Sequence, residues 1–446
     1  MSTAVRPAAG DSDLPAGRVH DVLRAHMLAD GFDLVLDLEA SRGVSVVDQR
    51  DGTAYLDMFG FFASSALGMN HPALADDGAF RHELATAAIN KPSNSDVYTV
   101  PMARFVDTFA RVLGDPALPH LFFVDGGTLA VENALKVAFD WKSRRNEAAG
   151  RDPALGTRVL HLTEAFHGRS GYTLSLTNTD PTKIARFPKF DWPRIDAPYL
   201  TDGRDVEQAE ERALAQARRA FADHPHDIVC FLAEPIQGEG GDHHFRPEFF
   251  ARMRELCLEH DALLIFDEVQ TGCGLTGTAW AYQQLGVTPD VVAFGKKTQV
   301  CGIMAGGRVD KVHDNVFEVS SRINSTWGGN LTDMVRARRI LEVIEEDRLI
   351  DRARLCGTHL LRRLDDLAAA HDAVTEPRGR GLMCAITLPT AAHRDRVVTR
   401  LREREHVLFL ATGERGIRFR PPLTVTIAEL DAAVDALDRT LAAVHP

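Results

Sequence analysis

From about residue 120 to 330 the chain repeats one pattern, a short and almost wholly apolar run followed by a longer stretch with apolar residues every three or four places. The runs are LFFV at 121, VLHL at 159, IVCFLA at 228, ALLIF at 262 and VVAF at 291. Runs this short and without alternation are buried on both faces, and helical spacing between them predicts a parallel sheet covered by helices on both sides. Further on, LTDMVRARRILEVIEEDRLI reads as one long helix, and RGLMCAITL, VLFLA and GIRFR as short strands. Thr426 and Glu429 have capping-box spacing for a last helix reaching about Ala443. GTAYLDMF reads as a strand entering from the N-terminal side. The pattern divides the chain into a loose tail (1–17), an N-terminal segment (18–75) that joins the small domain, a large α/β domain (76–335) and a smaller α+β domain (336–446).

Composition narrows the class. The chain has 446 residues, 45% of them hydrophobic and 26% charged, the proportions of a folded globular protein with a large core. Lys and Arg number 51 against 63 Asp and Glu, a net charge of −12, which disfavours nucleic acid and anionic membranes as partners. No stretch approaches eighteen uncharged apolar residues, and the tail lacks the apolar centre of a signal peptide. The cysteines (Cys230, Cys257, Cys273, Cys301, Cys356, Cys384) are scattered, with no metal-binding spacing or disulfide framework, so no metal and a cytoplasmic setting are expected.

Candidate chemistry begins at ALLIFDEVQTGCG, where Asp267 stands at the carboxyl end of a buried strand. Open α/β sheets bind ligands at that edge, although a lone acid there also suits a helix cap or surface charge. A second strand, in PDVVAFGKKTQ, ends at Lys296, 29 positions on, the length of one crossover. An acid and a lysine then face one crevice. A partly desolvated lysine has its pKa pulled down and becomes a nucleophile toward an aldehyde. For pyridoxal phosphate, a carboxylate against the ring nitrogen keeps that nitrogen protonated. Asp267 and Lys296 suit these roles, and spacing does not separate Lys296 from Lys297. Gly126, Gly127 and Thr128 precede a helix whose Val131, Ala134, Leu135 and Ala138 form an apolar stripe; its N-terminus suits a phosphate, or is an ordinary glycine turn. No GxGxxG follows an early strand, which disfavours a nicotinamide site.

Lys296 falls six residues after Asp290, as in the class III pyridoxal-phosphate aminotransferases, and four further segments match that family in order. They are YLDMFGFFASSALGMNHP from 55, DGGTLAVENALK from 125, FHGR from 166 and EPIQGEGG from 234. Over nearly its whole length after the tail the chain resembles that family. The resemblance implies the pyridoxal-phosphate-dependent transferase fold type I, with a mostly parallel sheet in its large domain, pyridoxal 5'-phosphate as cofactor, and a homodimer with shared active sites. Gly127 and Thr128 would hold the phosphate together with Thr326 from the neighbouring subunit. Phe166 would stack on the ring, in place of an ordinary core role, Gln270 would touch the ring hydroxyl, and Glu234 would lie in the same layer. Asp267 and Lys296 would be the catalytic pair.

Departures from the family pattern narrow it further. Leu129 stands where many members have an acid, Leu275 where many have an arginine, and KTQVCG where many have a glycine run. DEVQTGCGLTG, FHGR and the Lys-Lys pair resemble the branch acting on terminal amines, and NKPSNSDVY, PKFDWPRIDAPY and FGKKTQVCG its lysine-specific members. The resemblance implies L-lysine as amino donor, 2-oxoglutarate as acceptor and L-glutamate as product, with 4-aminobutyrate or ornithine as alternative donors. Arg418 would grip the α-carboxylate of glutamate. Alternation leaves Arg420 equally placed, and the family's interval to the proline pair selects Arg418. Glu239 would cover Arg418 while lysine is bound, Arg169 would take the far carboxylate of lysine, and Asn324 and Ser325 would position substrate across the interface. Cys273 is read as a small packed residue, with redox sensitivity as the alternative.

Overall fold

The computed structural model describes residues 14–445; the tail reading falls mostly outside them, and Ala16–Arg18 form a short 3-10 turn. Seven strands make the central sheet: β1 (His120–Val124), β2 (Arg158–Leu162), β3 (Arg194–Ile195), β4 (Ile228–Ala233), β5 (Leu263–Asp267), β6 (Val291–Phe294) and β7 (Cys301–Ala305). They lie in the order β1-β7-β6-β5-β4-β2-β3. All run parallel except β7, which is antiparallel to both of its neighbours. The five apolar runs are all strands of this sheet; β7 is an addition to the pattern reading, because CGIMA follows β6 too closely to stand out as a separate run.

Strand alternation sends residues to opposite faces. Leu263, Ile265, Val291 and Ala293 pack with Val131, Ala134, Leu135 and Ala138 of α2 (Gly127–Ala148), which follows α1 (Val100–Val112) in the chain. Leu264, Phe266, Val292 and Phe294 belong to the other cluster, with Phe105 and Phe109 of α1 and Met253 and Leu256 of α3 (Pro247–Glu259). Phe294 lies 4.9 Å from Phe109, and Phe266 meets Phe250 edge-on at 5.1 Å. At about 25 cal/mol per Å2 of buried apolar surface, such rings anchor β5 and β6 and therefore whatever stands at their ends.

The expected single helix 331–350 is two. The first, α4 (Leu331–Glu346), stops before Arg348, which adopts φ 51°, and α5 (Leu349–Ala370) starts immediately after. Ile344 and Leu349 are both buried in one cluster, so the turn re-aims the chain without exposing either. A left-handed conformation carried by arginine in place of glycine leaves no signal in the sequence. The 335/336 boundary falls inside α4. VLFLA also divides: Val407–Leu408 pairs in parallel with Ala54–Asp57 of the N-terminal segment, whereas β10 (Leu410–Thr412) joins β8 (Thr375–Arg380), β9 (Met383–Thr387) and β11 (Gly416–Phe419) in an antiparallel sheet ordered β8-β9-β11-β10. The final helix α6 (Ile427–Ala443) carries the expected capping box. Among the described residues no helix is long and apolar enough to cross a membrane.

One buried carboxylate fixes the register of the two chemically important strands. Asp290, just before β6, accepts a bond from the Leu264 N–H of β5 at 2.8 Å and is flanked by Arg254 at 2.5 Å and Arg308 at 2.7 Å. Burial would raise its pKa, but those two guanidiniums hold it below the usual carboxylate range. Asp290→Ala strands two partly buried cations and should cost about 3 kcal/mol, seen as a lower urea midpoint with unchanged slope; an unchanged midpoint would contradict this role.

Candidate active site

The parallel pairing of β5 and β6 places Asp267 opposite Ala293, three residues before Lys296. Both side chains line a cavity of about 280 Å3 at the carboxyl edge of the sheet, together with Gly127, Thr128, Phe166, His167, Gly168, Glu234 and Gln270. Seven of the residues expected from sequence are thus placed: Gly127, Thr128, Phe166, Glu234, Asp267, Gln270 and Lys296 share one wall or another of this space. Lys296 has φ 53°, a left-handed conformation of the kind that strained functional positions adopt.

The ambiguity between the two lysines is resolved by their surroundings. Lys297 is buried, and its Nζ donates to the carbonyls of Ala63 at 3.1 Å and Ser65 at 2.8 Å. Those carbonyls belong to a turn in which Gly60, Phe61, Phe62 and Ala63 all have positive φ, so Lys297 fastens a strained loop and does not face the cavity. Lys296 does. Burial, followed by the nearby Arg418 charge, pulls its amine down to about 8, with Asp267 opposing.

Asp267 is nearly buried and has two partners: its Oδ2 accepts from His167 Nδ1 at 2.8 Å and its Oδ1 from the Val269 N–H at 3.1 Å. His167 is the site residue that the sequence reading passed over, although it stands inside the FHGR segment. It is fully buried, it lines the cavity, and its Nε2 has no partner within the protein. Glu234 accepts from the backbone N–H of Phe166 at 3.1 Å and of Gly238 at 3.2 Å, fixing the loop that carries Phe166. Burial, with Asp267 adding to it, pushes the Glu234 carboxyl up to about 7. Cys273 is buried and its thiol is pushed up to about 12 by that burial, which suits the packed reading.

The helix end is shaped for an anion. Gly126, with φ 100°, precedes α2 and offers no side-chain cap, and no acid stands in the first turn. The first amides of a helix have no intrahelical acceptor, so those of Gly127 and Thr128 are available to a phosphate. A side chain on Gly127 would press on Val269 at 2.8 Å, and one on Gly168 would collide with Thr128 Oγ1, so the cradle depends on glycine. A free amine, a buried acid positioned by histidine, an aromatic face and an anion-binding helix end together fit pyridoxal phosphate.

The two arginines differ in what occupies them. Arg420 is buried with both terminal nitrogens on Asp242 and its Nε on Gln270 Oε1 at 3.0 Å. Arg418, on β11, donates to the Gly238 carbonyl and to Glu239 Oε2, each at 3.2 Å, and its buried Nε has no protein partner. Arg418 therefore has donor capacity left for a carboxylate. Six expected residues stay outside the cavity wall, Arg418 and Glu239 just described and four others. Arg169 is exposed, one position beyond Gly168, and Asn324, Ser325 and Thr326 lie on a surface loop held by Ser95 Oγ, which donates to the Ser325 carbonyl at 2.9 Å. Among the described residues no cluster of metal-ligating side chains occurs.

The family model described as aminotransferase class-III matches residues 29–441. The chain belongs to that family. Class-III aminotransferases depend on pyridoxal phosphate, in agreement with the fit of the cavity. An L-lysine-epsilon aminotransferase of Mycobacterium bovis is 68% identical over 445 residues, 99% of this chain and 98% of its own. The solved lysine aminotransferase of M. tuberculosis, in its internal aldimine form, is 69% identical with TM-score 0.96, covering 97% of this chain and 100% of that one. A probable mitochondrial 4-aminobutyrate aminotransferase of Caenorhabditis elegans is 34% identical over 439 residues, 91% of this chain and 87% of its own.

The cavity sets a measurable property of this class-III aminotransferase. In cofactor-free protein the Lys296 amine should titrate near 8 and not near the ordinary 10.5. Competitive labelling across pH followed by peptide mapping measures it, and a midpoint above 10 would contradict the burial described.

Proposed function

We propose that this chain transfers the ε-amino group of L-lysine to 2-oxoglutarate, forming L-glutamate and 2-aminoadipate 6-semialdehyde, which cyclises, in a ping-pong cycle with pyridoxal 5'-phosphate. Full-length similarity to relatives named for lysine supports the donor. The observation that carries the two-substrate cycle is the buried Arg418 fork, part occupied by Glu239 and part free.

Gly127 and Thr128 would hold the phosphate by backbone amides, Phe166 would cover the ring, Gln270 would meet its hydroxyl and Asp267 its nitrogen. When bound, the cofactor supplies an aldehyde that takes up the amine and a ring that withdraws electrons from the carbon being deprotonated. His167 keeps Asp267 in place and supports its charge through the 2.8 Å bond. With its amine lowered to about 8, a fraction of Lys296 is uncharged at neutral pH, so its Nζ can take the proton from the substrate carbon bearing nitrogen and give one back. Holding that carbon beside Nζ converts a collision into a positioned transfer.

The substrates differ at the reacting carbon, which bears a carboxylate in glutamate and none in lysine. For glutamate, Arg418 grips that carboxylate with its planar fork. For lysine, Glu239 stays on Arg418 and spares the protein an uncompensated buried cation, which would cost about 3–5 kcal/mol. Arg169, at the exposed end of the FHGR segment, takes the far carboxylate of lysine.

The active unit is a homodimer. On its own chain the loop bearing Asn324, Ser325 and Thr326 does not reach the cavity, and in a dimer it completes the neighbouring site, Thr326 at the phosphate and the other two at the substrate. The six cysteines are unpaired, in keeping with a reducing cytoplasm.

A half-reaction panel tests the assignment. The loaded enzyme, mixed separately with lysine, ornithine, 4-aminobutyrate and glutamate, should lose its cofactor absorbance fastest with lysine and glutamate; lysine ranking below 4-aminobutyrate would overturn the donor.

A further inference from the structure

Glu239 has a second cation. Its Oε2 accepts from Arg418 at 3.2 Å while its Oε1 accepts from Lys183 Nζ at 2.6 Å, the shorter of the two contacts. Lys183 lies on the short helical turn Pro181–Ile184, whose first residues are capped by Asp180. Its ammonium sits 5.7 Å from the centre of the Phe166 ring, and among the described residues it forms no ion pair with any other carboxylate. Both partners are partly exposed, 25% for Lys183 and 29% for Glu239, whereas Arg418 is only 3% exposed. Burial works to raise the Glu239 carboxyl, yet the Arg418 charge and then Lys183 hold it below the usual range.

This arrangement bears on how Glu239 leaves Arg418. A carboxylate departing a buried guanidinium loses its partner inside a half-dry cleft, and that loss opposes departure. A lysine ammonium is a compact charge on a flexible stem, able to follow a moving carboxylate. We propose that Lys183 is the positioning residue that receives Glu239 when a substrate α-carboxylate takes over Arg418. Lys183 thereby lowers the cost of admitting glutamate and 2-oxoglutarate and sets the balance between the two halves of the cycle. The inference rests on the proposed function, in which Glu239 acts as a gate that covers Arg418 for lysine and yields it to glutamate, and adds the residue that holds the gate open.

Glutarate, a dicarboxylate with no amine to react, probes the gate by binding alone. Titrated calorimetrically into the pyridoxal-phosphate holoenzyme at low ionic strength, it should bind about tenfold more weakly to Lys183→Met than to the parent, a difference of about 1.4 kcal/mol. Lys183→Arg should recover most of the affinity. In a Glu239→Gln background, where no carboxylate needs a refuge, Lys183→Met should change the dissociation constant less than twofold. An undiminished affinity in Lys183→Met, or an equal loss in both backgrounds, would overturn the proposal; the second result would mean that Lys183 attracts the anion directly. Arg418→Met separates the two levels of the account. If it weakens glutarate while Lys183→Met does not, the role of Lys183 fails alone; if it has no effect, the arginine gate fails and the role of Lys183 with it.

Discussion

Everything at this site follows from placing ionisable groups together where water is scarce. Burying one carboxylate or one ammonium costs several kcal/mol, and the cost is tolerated when each charge has a partner or a hydrogen bond. Asp267 is supported by His167 and a backbone amide, Glu234 by two amides, and Arg418 by a carbonyl and Glu239. The sheet makes this possible. Parallel β5 and β6, locked by Asp290 and by aromatic packing on one face, deliver an acid and an amine to the same edge, and α2 brings its unpaired amides to that edge from the other face.

Partial satisfaction also distinguishes groups prepared for ligands from groups that only hold the fold. Lys297 and Arg420 are as deeply set as Lys296 and Arg418, but their donors are consumed by Ala63 and Ser65 in one case and by Asp242 and Gln270 in the other. Lys296 opens on the cavity, and Arg418 retains an unpartnered Nε. Within each pair of similar residues, the one with unused capacity is the one that lines up with the proposed chemistry.

Much of this was legible in the chain. Short apolar runs located five strands of the sheet, and an acid and a lysine at two strand ends pointed to the crevice. Spacing did not distinguish Lys296 from Lys297, since that depends on a strained turn more than 230 residues away in sequence. Nor did it separate Arg418 from Arg420, which depends on Asp242 in another domain. His167 was hidden for a similar reason: a lone histidine becomes meaningful only when the fold sets it against an acid 100 positions further along. The break at Arg348 and the split of VLFLA between two sheets are tertiary choices, made where buried side chains outweigh local preference.

The central claim is that the amine of Lys296, and not that of Lys297, faces the Asp267 and His167 pair. Borohydride reduction of the pyridoxal-phosphate-loaded protein, followed by proteolysis and mass mapping, tests it directly. The account predicts the reduced cofactor on Lys296 alone; a label on Lys297, or on neither lysine, would contradict it.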